Sequence, residues 1–159
     1  MLIHRHYNNV REQLRLKPGQ VRGAPLRQIV IVPLAELNQA SERALAFARG
    51  LTEHVYAVHV TEDPEEAKEL GKQLRKYDTN VKLIVLESPY RATLEPLLNY
   101  IDALHTQDPE AFVTVVVPEF LTAHWWQRIL HNGTAARLNH ALKPHPNVAV
   151  VNVPYVLEH

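Results

Sequence analysis

Short apolar runs alternate with amphipathic stretches along most of this chain. The runs are rich in β-branched residues and occupy Gln28–Val32, His54–Val60, Val81–Leu86, Ala111–Val117 and Asn147–Val153. Such runs are typical of strands that are buried on both faces of a parallel sheet. We therefore predict five parallel strands from residue 27 onward.

The stretches between these runs have helical spacing of their apolar positions. They predict helices over residues 39–51, 64–76 and 92–105, and a longer helix over 122–142. Asn38 or Ser41 can cap the first helix, and Thr61 can cap the second. The apolar stripe predicted for the first helix consists of Ala40, Ala44, Leu45, Ala48 and Leu51.

Strands separated by helices define the fold class as α/β, with an open, five-stranded parallel sheet. Crossover connections are right-handed and place helices on both faces of such a sheet. In doubly wound sheets the strand order reverses between strands one and four. We therefore predict the order 3-2-1-4-5, with the first strand in the centre.

The residues before the first strand form a separate segment. Apolar positions from Leu2 to Leu16 predict a helix over 2–16, which Pro18 and Gly19 end. We divide the chain into an N-terminal helix and linker at 1–26, an α/β domain at 27–156, and a tag remnant at 157–159.

Length, charge and cysteine content narrow the possible functions. The chain has 159 residues, enough for one domain, and it has no cysteine. Residues 1–26 hold five basic groups and one acid, a charge of +4, whereas the rest of the chain is at −4 because the total is zero. The body gathers no basic face that could follow phosphates, so no nucleic-acid partner is predicted. No apolar run reaches the ~18 residues of a membrane span.

The motifs of common enzymes and metal sites are missing from the sequence. With five glycines the chain has no GxGxxG and no P-loop, and its two serines lie outside any GxSxG. His124 and His131 are seven residues apart on one predicted helix, about 10 Å along its axis, which is too far for one ion. We predict no enzymatic activity, no catalytic residue and no metal.

Three loops at the carboxyl ends of the strands are the candidate binding region, because open parallel sheets bind ligands there. They are Pro33–Asn38, Glu87–Arg91 and Pro118–Arg128. Trp125 and Trp126 are about 100° apart on a helix, so one can pack inward while Trp125 is left for a ligand. The alternative is that both cover the sheet edge or the N-terminal segment, and that Ser88–Arg91 is only a capped turn.

The segment from His131 to Leu138 and the predicted strand order resemble the universal stress protein fold. That family has a G-x2-G-x9-G-(S/T) nucleotide signature, and Gly133-Thr134 matches its last pair. Phe120 and Ala123 stand where its first two glycines would fall.

A resemblance over nearly the whole chain is to the cytosolic C-terminal, universal-stress-protein-like domain of bacterial permeases. These permeases belong to the amino acid–polyamine–organocation superfamily, which includes amino acid permeases and KUP-type potassium importers. The residues that carry it are His6-Tyr7, Glu12–Leu16, Leu86–Arg91, Tyr100–Asp102, Pro118–Phe120, Trp125-Trp126 and Leu130–Asn132. The resemblance implies that residues 1–16 continue from a transmembrane helix, that the domain lies at the cytoplasmic face of the membrane, and that cyclic di-AMP regulates transport.

We therefore predict a regulatory domain of a permease that binds an adenine nucleotide, most plausibly cyclic di-AMP, with ATP or AMP as other ligands and no required cofactor. The expected site uses Pro33, Leu34, Tyr90 and Trp125 as flat surfaces, Ser88, Arg91, His124, Arg128 and Thr134 as donors, and Gly133 for close backbone approach. A homodimer through the apolar fifth strand is expected. The alternatives are a ligand-free dimerisation module and a free-standing ATP-binding stress protein.

Overall fold

A computed structural model describes residues 10, 12–19, 23, 25–88, 94–118 and 147–155 of the chain. Five strands and three helices lie in these ranges. In chain order they are β1 (Gln28–Pro33), α1 (Gln39–Leu51), β2 (Val55–Thr61), α2 (Pro64–Tyr77), β3 (Lys82–Glu87), α3 (Leu94–Gln107), β4 (Phe112–Pro118) and β5 (Val148–Val153).

The strands form one parallel sheet in the order β3-β2-β1-β4-β5. The central strand β1 pairs Val30 with Val55 of β2 and Gln28 with Phe112 of β4. This confirms the predicted fold class, the strand order and the central position of the first strand. The sheet is parallel because a helix of 13 or 14 residues returns the chain before β2, β3 and β4.

Alternating side chains of the sheet build two apolar clusters, one on each face. Val30 and Val32 of β1 point to the first cluster, which contains Leu45 of α1 and Leu74 of α2. Ile31 points to the opposite cluster, which contains three buried residues of α3, namely Leu94, Leu97 and Ile101. The central strand is therefore covered by helices on both faces, as expected from its continuous apolar run.

Two details of the predicted helices are wrong. Asp63, and not Thr61, caps α2, because its carboxylate accepts a hydrogen bond of 2.9 Å from the N–H of Glu65. Thr61 is the last residue of β2, and its hydroxyl accepts the N–H of Asp63 at 3.0 Å. Leu51 is 42% exposed. Leu51 is the last residue of α1. The helix ends there at the level where β1 begins, because the hydroxyl of the next residue, Thr52, contacts the carbonyl of Gln28.

The structure describes only some residues of the predicted N-terminal helix and none of the predicted helix over 122–142. Val10, Leu14 and Leu16 of the predicted N-terminal helix are exposed, and the other apolar positions of that helix lie outside the described residues. Across the ranges given above, no helix is long and apolar enough to cross a membrane.

Candidate functional site

The carboxyl ends of β1 and β4 lie side by side in the middle of the sheet. β1 ends at Pro33 and β4 at Pro118, and both residues are buried. From the end of β1 the chain continues into α1, which packs on one face of the sheet. In the sheet, β1 has β4 as its neighbour on one side and β2 on the other. The adjacent ends of β1 and β4 are the switch point at which open parallel sheets form their binding crevice.

Two of the predicted contact residues lie directly at this point. The backbone of Pro33 pairs with Val58, and the N–H of Leu34 donates to the carbonyl of Val58 at 2.9 Å. The side chain of Leu34 is 3% exposed and belongs to the core cluster between α1 and α2. Both side chains are thus buried in the structure, and their contact with a base stays a prediction.

The loop that follows is held rigidly at the N-terminus of α1. The side-chain oxygen of Asn38 accepts the N–H of Ser41 at 3.0 Å, and the hydroxyl of Ser41 accepts the N–H of Asn38 at 2.7 Å. The amide of Asn38 also donates to Glu36 at 2.9 Å. On the other side, the hydroxyl of Tyr155, beyond β5, donates to Gln39. This reciprocal capping box confirms the predicted cap and fixes the loop beside the switch point.

Ser88 lies at the same edge of the sheet but further from the switch point. It follows β3 directly and is 3% exposed. Pro33 is level with Val58 of β2, and Val58 is level with Ile84 of β3, so Ser88 lies four residues further along the strand direction than the end of β1. Two strand spacings of about 4.8 Å and four residues of about 3.3 Å each place Ser88 about 16 Å from the end of β1. The edge therefore brings Pro33 and Leu34 together and places Ser88 at one side of the crevice.

Most of the predicted site residues belong to ranges that the structure does not describe. These residues are Tyr90, Arg91, His124, Trp125, Arg128, Gly133 and Thr134. Their roles stay predictions from the sequence. His131, which was considered with His124 for a metal and rejected, also lies outside the described residues. In the described ranges, no group of three or more histidine, aspartate and glutamate side chains is placed to hold a metal ion.

A buried histidine at this edge was missed by the sequence analysis. His59 of β2 is 2% exposed, and its Nδ1 lies 2.7 Å from the carbonyl oxygen of Leu34. Its Nε2 has no hydrogen-bond partner among the described residues and lies 3.8 Å from Oε1 of Glu66. The sequence carries a signal for it, because His59 follows Val55 and Ala57 at alternate positions of a buried strand.

The tyrosines with shifted pKa values lie away from this edge. Burial raises the pKa of Tyr77, at the end of α2, and a hydrogen bond to Glu42 raises it further. Burial also raises the pKa of Tyr100 on α3, and neighbouring Tyr56 adds to that effect. Both belong to helix-packing contacts, and neither marks a reactive group at the crevice.

The fold defines a class of protein, a doubly wound α/β domain whose strand order reverses between β1 and β4. Residues 26–155 match the family described as the KimA potassium transporter C-terminal domain, and the chain belongs to that family. This is a transporter domain and not a class of enzyme.

A curated relative supports this membership. The chain is 32% identical over 158 residues to the potassium transporter KimA of Bacillus subtilis (strain 168). The match covers 96% of the chain and 25% of the relative, so the chain spans about a quarter of the length of that protein.

Proposed function

We propose that this chain is the cytoplasmic regulatory domain of a potassium transporter, and that it binds an adenine nucleotide, with cyclic di-AMP as the first candidate. The observation that carries the proposal is the match of residues 26–155 to a potassium transporter domain. The strand order and Gly133-Thr134 support the further proposals of a universal-stress-protein-like domain and a permease of the amino acid–polyamine–organocation superfamily. An amino acid permease is the alternative transporter within that superfamily.

The proposed binding place is the crevice between the ends of β1 and β4. Helix α1 begins at this edge, and a helix N-terminus favours the phosphates of a nucleotide. A dinucleotide also needs flat surfaces for its bases and donors for its two phosphates. The sequence offers Tyr90 and Trp125 for stacking, and Arg91 and Arg128 for the phosphates.

Regulation requires that the nucleotide binds one arrangement of the transporter more tightly than another. The carboxyl edge suits this role because loops from several strands and the start of α1 meet there. A ligand that contacts these loops changes how the domain contacts the membrane part, and transport changes with it.

Calorimetric titration of the 159-residue chain with cyclic di-AMP, ATP and AMP tests the proposal. Removing one stacking or phosphate contact of about 1.5–3 kcal/mol should weaken binding roughly tenfold to a hundredfold. We expect this loss for Arg91→Ala and for Arg128→Ala. The control is Lys68→Ala, since Lys68 is 62% exposed on α2 and contacts Glu65 at 4.0 Å.

Each outcome of this titration selects one function. Equal affinity in all three variants would exclude the crevice as the site. Binding of ATP alone would favour a free-standing ATP-binding stress protein. The absence of binding by the folded chain would favour a ligand-free dimerisation module.

The edge strand β5 supports the dimerisation module as the second candidate. β5 pairs with β4 on one side, and Val150 is 41% exposed. An apolar edge strand is prone to pair with a second copy. We expect Val150→Lys to weaken a dimer measured by sedimentation at high micromolar concentration, whereas a monomeric wild-type chain would contradict dimerisation.

A further inference from the structure

The hydrogen bond made by His59 defines which ring nitrogen carries the proton. Nδ1 lies 2.7 Å from the carbonyl oxygen of Leu34. Because a carbonyl oxygen can only accept, Nδ1 is the donor. In the neutral ring Nε2 is therefore an acceptor, with a lone pair and no hydrogen.

This acceptor faces another acceptor. Nε2 of His59 lies 3.8 Å from Oε1 of Glu66, and the other carboxylate oxygen of Glu66 accepts the hydroxyl of Thr61 at 2.7 Å. The distance of 3.8 Å between Nε2 and Oε1 is too long for a hydrogen bond. It is also too short for a bridging water, because a water that donates bonds of about 2.8 Å to both acceptors would hold them about 4.4 Å apart. Among the residues that the structure describes, the neutral ring thus leaves a buried acceptor without a hydrogen bond, which is unfavourable.

We propose that His59 and Glu66 form a proton-operated contact that joins β2 to the first turn of α2. When the ring takes up a proton, Nε2 becomes a donor, and the carboxylate of Glu66 accepts a charge-assisted hydrogen bond from it. Glu66 can make this movement because its side chain is 55% exposed. Loss of the proton returns the two groups to opposed acceptors, and the contact opens.

The surroundings of the ring assign this role to Glu66. The loop after β1 contributes the carbonyl of Leu34, and β3 places an apolar residue next to His59 in the sheet. Thr61 lies two residues further along the same strand, Val85 pairs with His59 on β3, and Glu66 of α2 lies 3.8 Å from Nε2. The other acidic residues of the turn between β2 and α2 are Glu62 and Asp63, and both are exposed. Asp63 is engaged as the cap of α2, with Glu65 as its partner.

The contact connects two parts of the carboxyl edge. Nδ1 of His59 holds the loop after β1 through Leu34, and Nε2 reaches α2 through Glu66. Protonation therefore ties the loop, β2 and α2 together through one ring. Acidification tightens the edge of the sheet next to the β1–β4 switch point, whether or not a nucleotide binds there.

A double-mutant cycle of His59→Asn and Glu66→Gln in the 159-residue chain tests this contact. Asparagine retains a donor near Nδ1 and removes Nε2. Urea unfolding is measured at about pH 5.5 and about pH 8, which bracket the ordinary titration of histidine. We expect the coupling between the two positions to change the unfolding equilibrium constant about threefold to tenfold at the lower pH, and very little at the higher pH.

Glu65→Gln is the matched control, because Glu65 is in the same helical turn, is 82% exposed and contacts Lys68. It should show no pH-dependent coupling to His59. If His59→Asn does not fold, nitrogen NMR of the wild type and Glu66→Gln decides: acidification should shift the amides of Leu34 and Glu66 in the wild type only. A coupling that is equal at both pH values, or a neutral ring with its proton on Nε2, would overturn the proposal.

Discussion

Replacing Asn38 by alanine should destabilise the loop at the switch point by a measurable amount. The substitution removes the acceptor of the 3.0 Å bond from the Ser41 N–H and the donor of the 2.9 Å bond to Glu36. Loss of an N-cap costs about 1 kcal/mol, within a range of about 0.5–2 kcal/mol. The bond to Glu36 is exposed and adds little to this value.

Urea unfolding and thermal melting of the variant measure this cost. For a chain of this size, 1 kcal/mol corresponds to a decrease in Tm of about 2–4 °C. Asn38→Ser is the control, because serine keeps a capping oxygen and should lose less than about 0.5 kcal/mol. The reasoning is refuted if Asn38→Ala is as stable as the wild type, or if Asn38→Ser is as destabilised as Asn38→Ala.

Three further predictions concern the core, a helix and alkaline pH. Ile31→Ala in the fully buried centre of the sheet should cost about 2–5 kcal/mol in urea unfolding, and Ile84→Ala on the edge strand β3, where Ile84 is half-buried, should cost clearly less. Gly71→Ala in α2 should raise stability by about 0.5–1 kcal/mol, because the nearest heavy atom to the new Cβ is 3.5 Å away; a loss of stability would show that the space is not open. The pKa of Tyr77 is raised above 10.0 in the folded chain, so its contribution to stability is present below about pH 10 and is lost above it. Stability should therefore fall more steeply between about pH 9 and about pH 11 in the wild type than in Tyr77→Phe, and equal slopes would contradict this sign.

The sheet could be predicted from the sequence because each strand coincides with a largely apolar run, which is buried most completely in the inner strands β1 and β4. Four predicted strands begin one residue early, for example at Val81, where the strand begins at Lys82. Val81 is buried and extends the apolar run, although it precedes the first pair of the ladder. Burial thus determines which residues are apolar, whereas hydrogen-bond pairing with the neighbouring strand determines where each strand begins and ends.

The candidate site was less predictable, because its properties depend on contacts between distant segments. The residue type of Thr61 predicts a cap, but β2 continues through Thr61 and Asp63 caps α2 instead. The position of the proton on the neutral ring of His59 is determined by the carbonyl of Leu34, which is 25 residues away in the sequence. Neither periodicity nor a motif predicts such a contact between a strand and the loop after another strand.

The most direct test of the proposed regulation is potassium flux through the full-length transporter that contains this domain, reconstituted in vesicles with cyclic di-AMP on the domain side. We expect the ligand to change the flux, and we expect Arg91→Ala to abolish that change while the flux without ligand and the response of Lys68→Ala stay as in the wild type. A flux that is the same with and without cyclic di-AMP, in a transporter whose domain is folded, would contradict the account.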